Sequence, residues 1–329
     1  MTPNQESRAQ LEEAIARIEA RTPNRRIGLY GPGSMSWTIN REVMILVGGG
    51  RAALLQLAHP FVAHAVDQHS DTPTDPVGRF RRTFENVFGM VFGDLDTVLE
   101  RARSVHTIHT RIQGPIEHDV GPFKRAQRYR ALDQDALVWV QATLFDTATT
   151  VFDRIVQPLS TYEREAYYEE TRTLASLFGI RAMPDSYAHF NTYMADMLAS
   201  ETITFSRPGK DLAQFLLQPP KPLYAPFTHA YKTLTAGMLN ERLRGELNLR
   251  WGLRERAEFH GAWPMLKALH KRTPARLRFF PDYIEGVHRV QGSTAERDTV
   301  GRALEAAALW AIQPSTSVLE RERARREGR

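Results

Sequence analysis

The sequence predicts an all-α fold, on two observations. After residue 37 nearly every segment places apolar residues at three- and four-residue spacing rather than in alternation, and Asp or Ser caps mark helix starts along the chain. A 42% share of hydrophobic residues in 329 is enough for a sizeable buried core and excludes intrinsic disorder. The balance of 43 Lys and Arg against 38 Asp and Glu leaves a net charge of +5. That charge suits an anionic ligand, a membrane surface or nucleic acid without choosing among them. With no cysteine, thiolate metal sites, Fe–S clusters, cysteine nucleophiles and disulfides are excluded, so any metal must be held by His, Asp, Glu or oxygen donors.

The elements follow in order. Residues 1–22 read as a charged amphipathic helix with Leu11, Ile15 and Ile18 on one side, unlike a secretory leader, which points to a cytoplasmic protein. Residues 22–37 read as a loop around Gly31-Pro32-Gly33-Ser34. The apolar stretch Val43 to Val66 is interrupted by Gly48-Gly49-Gly50, Arg51, Gln56, His59 and Pro60, and reads as a buried helix pair rather than a membrane span. Asp75-Pro76 starts a helix over 76–92 that Gly93 stops, and Asp94 caps the next, which runs to about Ile112 before Gly114-Pro115. A loop containing Pro122 leads to a helix from Asp133 to Pro158, with Leu137, Val140, Leu144, Ala148, Val151 and Ile155 as its apolar stripe. Ser160 and Glu163 form a capping box for a helix closing at Phe178-Gly179. The proline-rich run 218–222 reads as a loop, helices are expected over about 224–239 and 300–312, and Glu320 to Arg329 as a solvated tail. The division expected is a helix over 1–22, one domain over 23–315 and a charged tail over 316–329.

Two helices carry the candidate chemistry. Val98, Ala102, Val105, His109 and Ile112 step by four, three, four and three, which puts His109 where a Leu is expected; His106 lies about 60° round the same helix. His109 reads either as a core histidine satisfied by a carbonyl or as an axial ligand to iron, its Nε2 facing the metal and its Nδ1–H fixed by a carbonyl or carboxylate. The preceding helix places Arg79 and Thr83 beside a stripe of Val77, Phe80, Phe84, Val87, Phe88 and Val91, where an Arg can pair with a carboxylate and a Thr can donate to bound dioxygen. Arg82 falls about 160° from that stripe, where periodicity reads a solvated charge. His59, His64 and His69, spaced by fives, make no metal triad by themselves, and a single Glu285-Gly286-Val287-His288 is too little for a di-iron bundle. Gly48-Gly49-Gly50 lacks the context of a nucleotide phosphate loop and reads as tight packing or a helix break.

The ordered runs Gly31 to Trp37, Leu54-Leu55-Gln56-Leu57-Ala58-His59-Pro60, Gln68-His69-Ser70 and Asp75 to Thr83 resemble the oxygenase MpaB and rubber-oxygenase (latex-clearing protein) family. His109 to Gly114, Tyr129 to Asp133, Trp139-Val140-Gln141-Ala142 and the proline-rich stretch from Gln218 to Pro226 extend the resemblance from residue 30 to about 240. It implies a globin-like helical arrangement around haem b and oxidative cleavage of carbon–carbon double bonds in isoprenoid chains, with dioxygen as co-substrate. It makes His109 the axial ligand and places Arg79 and Thr83 at the haem. Arg82 stands where rubber oxygenases carry a lysine able to ligate iron, which a protonated arginine cannot easily do, so the sixth site is water, dioxygen or empty. Gln141 stands where many members have histidine and is a further candidate for holding the cofactor, while the glutamate proposed as base in rubber oxygenases has no obvious match. The expectation is a haem b oxygenase acting on an isoprenoid or lipid-like alkene, with peripheral membrane contact a sensible setting. A non-catalytic haem protein, for storage or sensing or as a degenerate member, is the alternative. A nucleic-acid binder lacks the basic stripe with interleaved aromatics.

Overall fold

The computed structural model describes residues 3–70, 75–218, 221–293, 297–312 and 314. Helices dominate it, as periodicity predicts. The chain opens with α1 (Pro3–Arg21) and α2 (Met35–Asn40), continues through a 3-10 turn (Val43–Gly48) into α3 (Gly49–Leu57) and α4 (Pro60–His69), and then forms a hairpin of α5 (Pro76–Phe92) and α6 (Leu95–His109). A two-stranded antiparallel sheet, β1 (Gln113–Pro115) with β2 (Arg128–Arg130), pairs Gly114 with Tyr129 inside the stretch expected to be loop. There follow α7 (Gln134–Ile155), α8 (Thr161–Leu177), α9 (Tyr187–Ala199), α10 (Arg207–Leu216), α11 (Ala225–Gly237) and α12 (Glu241–Glu246). The last four are α13 (Leu253–Arg272), α14 (Ala275–Arg278), α15 (Pro281–Gln291) and α16 (Thr299–Ile312).

The starts read from capping residues match their local chemistry. Asp75 accepts from Gly78 N–H, Asp94 from Thr97 N–H and Asp133 from Ala136 N–H, and Ser160 with Glu163 closes its box in both directions. Ser34 likewise caps α2 by accepting from Trp37 N–H, so a helix starts inside the segment expected to be loop up to 37. Gly48-Gly49-Gly50 is a packing device. A Cβ on Gly48 would meet Thr147 Cγ2 at 2.4 Å, and one on Gly50 would meet Thr235 Oγ1 at 2.4 Å.

Two apolar clusters make up most of the core. One gathers α3, α7, α8, α9 and α10 around Trp139, Phe145, Tyr168 and Phe190; the other joins α1, α5 and α6 around Trp37, Phe88 and Phe92. Leu11, Ile15 and Ile18 of α1 are buried in the second cluster. On α7 the single stripe read from sequence is corrected. Leu144 is exposed, while Trp139, Ala142, Thr143 and Phe145 are buried, because α7 packs against α2, α3, α8, α13 and the 3-10 turn on several sides. A helix covered nearly all round has no one apolar face, and its buried hydroxyls turn to the helix itself: Thr143 donates to Val140 O and Thr149 to Phe145 O.

Among the described residues no single helix is long and apolar enough to cross a membrane. Val43–Leu57 with Pro60–His69 reaches that length and composition only as a pair bent by 101°. Glu285 of α15 pairs with Arg302 of α16 at 2.7 Å, so the one Glu-x-x-His run joins an ion pair between two helices. The side chains of Val77 and Phe80 and the charged tail over 316–329 lie outside the described residues.

Candidate functional site at the α5–α6 hairpin

Gly93 and Asp94 turn α6 back along α5, which brings the start of one helix beside the end of the other. Val98, Ala102 and Val105 are buried as the stripe predicts, but α6 stops at His109 itself, with Thr110 as its C-cap. His109 is therefore the last helical residue, not the middle of a longer stripe, and Ile112 packs in a separate cluster with Phe61 and Tyr129. The ring is half-buried as a residue, yet its Nδ1 is shielded from solvent and has no hydrogen-bond partner among the described residues. The carbonyl or carboxylate expected on Nδ1 is thus absent there. Burial, reinforced by the nearby charges of Arg79 and then His106, lowers the pKa of His109 from 6.5 to about 4, so the imidazole is neutral at pH 7.

The two helices are joined by the apolar cluster that holds Phe88 and Val91 with Val98, Ala102 and Val105, and the charge of Arg79 on α5 acts on His109 of α6. Arg79 donates to Thr83 Oγ1, and the Thr83 hydroxyl donates to Arg79 O at 3.0 Å, so the two residues one turn apart form a local unit. Thr83 is exposed, and its hydroxyl is turned to its own helix rather than into an apolar slot. Arg82 is exposed and pairs with Asp75 at 3.3 Å, the solvated position periodicity reads for it. Phe88 and Val91 are buried, and Phe84 and Val87 are half-buried along the same helix.

The remaining candidates belong elsewhere. His106 is buried against α1, its Nε2 3.1 Å from Ser7 Oγ. Gln141 is buried on α7. Of the site residues read from sequence, Arg79 and Thr83 bond to each other, the charge of Arg79 acts on His109, and Arg82 turns outward to Asp75.

The donor set fits haem in kind: a neutral imidazole with an orphaned buried nitrogen, and a guanidinium close to it that can pair with a carboxylate.

Residues 37–268 match the model of the family described as "ER-bound oxygenase mpaB/B'/Rubber oxygenase, catalytic domain". The chain belongs to this family. No curated protein and no solved structure matches the chain. As a member of the mpaB/rubber oxygenase family it carries an oxygenase-type catalytic domain, whose reaction takes a small-molecule substrate and oxygen. The matched span contains the whole of the α5–α6 hairpin and the His59-Pro60 start of α4.

Sequence reasoning missed His59 as a special residue. It is 1% exposed and caps α4, its Nδ1 accepting from Phe61 N–H at 3.2 Å, which leaves the ring proton on a buried Nε2 that finds no acceptor among the described residues. Only its own burial beside Phe61 and the half-buried Phe123 makes it unusual, and no local pattern announces that. Burial lowers its pKa from 6.5 to about 4. The unfolded chain therefore takes up the proton first. Stability from this group is intact above about pH 6.5 and is lost at about 1.4 kcal/mol per pH unit as the pH falls towards 4. His59→Asn retains a capping oxygen without a titrating ring. Between pH 7 and pH 5 the variant should lose about 2 kcal/mol less stability than wild type in urea titrations, and equal losses would show that the His59 ring protonates freely in the folded protein.

Proposed function

We propose that the chain is a haem b oxygenase that attacks a carbon–carbon double bond in an isoprenoid or lipid-like substrate, with His109 as the axial ligand and Arg79 as partner of a haem carboxylate. The observation that carries this reading is His109: a ring kept neutral by burial and by the charge of Arg79, whose shielded Nδ1 has no hydrogen-bond partner among the described residues. A neutral imidazole offers a lone pair to a metal at pH 7 without first losing a proton. Haem supplies the dioxygen chemistry when bound.

The work of the chain's own residues is binding and exclusion. Arg79 offers a planar set of donors matched to a carboxylate, and Thr83 holds it by accepting one of them. Arg82 turns out to Asp75, so it would not serve as a ligand to the group. Phe84, half-buried on the same helix, would offer apolar surface, where a hydrocarbon chain gains about 25 cal/mol per Å² buried. A net charge of +5 has the sign that an anionic lipid surface attracts, which would suit a cytoplasmic protein with peripheral membrane contact.

Haem-loaded protein incubated with oxygen and a series of farnesyl and geranylgeranyl compounds should release aldehyde or ketone fragments detectable by mass spectrometry. Its ferric Soret band should shift readily on adding imidazole. Haem-loaded protein that cleaves no chain length, where a rubber oxygenase control does, would favour the non-catalytic haem protein instead.

A further inference from the structure

Away from the hairpin, the loop after β1 and the buried face of α4 bring together two imidazoles and a carboxylate. One ligand atom each from His64, Glu117 and His118 lies within 4.8 Å of the other two. We propose that these three side chains bind a divalent first-row transition ion of the zinc class, with the remaining coordination position left to water.

Each side chain is prepared for this by its own surroundings. His64 is fully buried, and its Nδ1 donates to Pro60 O at 2.8 Å, which places the lone pair on Nε2, the atom facing Glu117. A backbone acceptor on the far nitrogen is the usual support of a metal-ligating histidine, because it sets the tautomer and holds the ring plane. Burial also lowers the pKa of His64, keeping the ring neutral and available.

The carboxylate has a support of the same kind. Tyr129 OH donates to Gln68 Oε1 at 2.7 Å, and Gln68 Nε2 lies 3.5 Å from Glu117 Oε1. The backbone beneath Glu117 is fixed, since Ile116 is 1% exposed and exchanges bonds with Gln127 N-terminal to β2 and with Ala126. Two imidazoles and one carboxylate with no thiolate suit zinc with an open position, and equally the neighbouring borderline ions.

Binding costs little in bonds given up. His64 Nε2 at present accepts Glu117 N–H at a long 3.4 Å, and His118 Nε2 accepts Arg207 N–H at 3.2 Å. A metal-bound neutral imidazole has no second lone pair, so whichever nitrogen of His118 binds, the bond from Arg207 is released. Arg207 is exposed at the first turn of α10, where water can replace it.

The test is a zinc titration of the metal-stripped full chain against a chromophoric competitor chelator, read as stoichiometry and affinity. Wild type should bind one equivalent, and Glu117→Gln and His118→Asn, both changes outside the packed core, should each weaken binding by about tenfold or more. His109→Ala should bind zinc as wild type does, which separates this site from the haem reading. Cobalt in place of zinc should give visible bands in wild type that both variants lose. Absence of stoichiometric binding, unchanged affinity in both variants, or a loss confined to His109→Ala would overturn the proposal.

Discussion

His109→Ala should lose nearly all the haem that wild-type protein retains through gel filtration, measured as the ratio of Soret to protein absorbance. Loss of a residue that merely supports a metal ligand weakens binding by about 10–100-fold, so loss of the ligand itself should cost at least about 100-fold. The removed ring is at the C-terminus of α6, half-exposed as a residue, and its Nδ1 makes no hydrogen bond among the described residues, so the fold should survive the change. Far-ultraviolet circular dichroism should therefore be unaltered. His106→Ala is the matched control. It removes a buried imidazole from the same helix that is held by Ser7 of α1, and it should keep the haem while losing some stability. Equal haem content in wild type and His109→Ala would remove His109 from the site.

Glu42→Ala should destabilise the protein by about 1–3 kcal/mol, because it leaves the buried His270 ring without its hydrogen-bond partner and removes the carboxylate beside two partly exposed arginines. Glu42, between α2 and the 3-10 turn, is 1% exposed. Its Oε2 lies 2.9 Å from His270 Nε2 and 3.7 Å from Arg278 Nε, and its Oε1 lies 3.7 Å from Arg41 Nε. The Nε atoms of Arg41 and Arg278 have no hydrogen-bond partner among the described residues, so the carboxylate is their electrostatic compensation. His270 belongs to α13 and Arg278 to α14, and Phe280 N–H donates to Arg41 O alongside them, so this one carboxylate ties the C-terminal helices to the core. Glu42→Gln keeps an acceptor for His270 and should cost less. Urea titrations of both variants give the comparison, and a Glu42→Ala effect below about 1 kcal/mol would mean that water replaces the lost carboxylate.

What was legible in the sequence is what depends on neighbours three or four residues away. Asp75, Asp94, Asp133 and Ser160 cap their helices through bonds to the third residue on, and periodicity alone places Arg82 outward, where it meets Asp75. Family membership is legible for a related reason: it rests on motifs in linear order, which a sequence states directly and which the match over 37–268 reproduces. The two-stranded sheet was not legible, since three residues on each side are too few for alternation to register. Leu144 was misread because periodicity assumes one buried face, and α7 has several neighbours.

The candidate sites divide in the same way. Helical spacing puts Arg79 and Thr83 on one flank and His109 in line with a buried stripe, but it cannot say that α6 ends at His109 or that the charge of Arg79 acts on it. Burial is a property of everything that packs around a side chain, so the lowered pKa values of His109 and His59 exist only in the assembled fold. Contacts between distant segments are decided there too. Glu117 N–H meets His64 across 53 residues, and His270 meets Glu42 across 228, pairings to which no spacing rule applies because their geometry is set by how the helices between them pack.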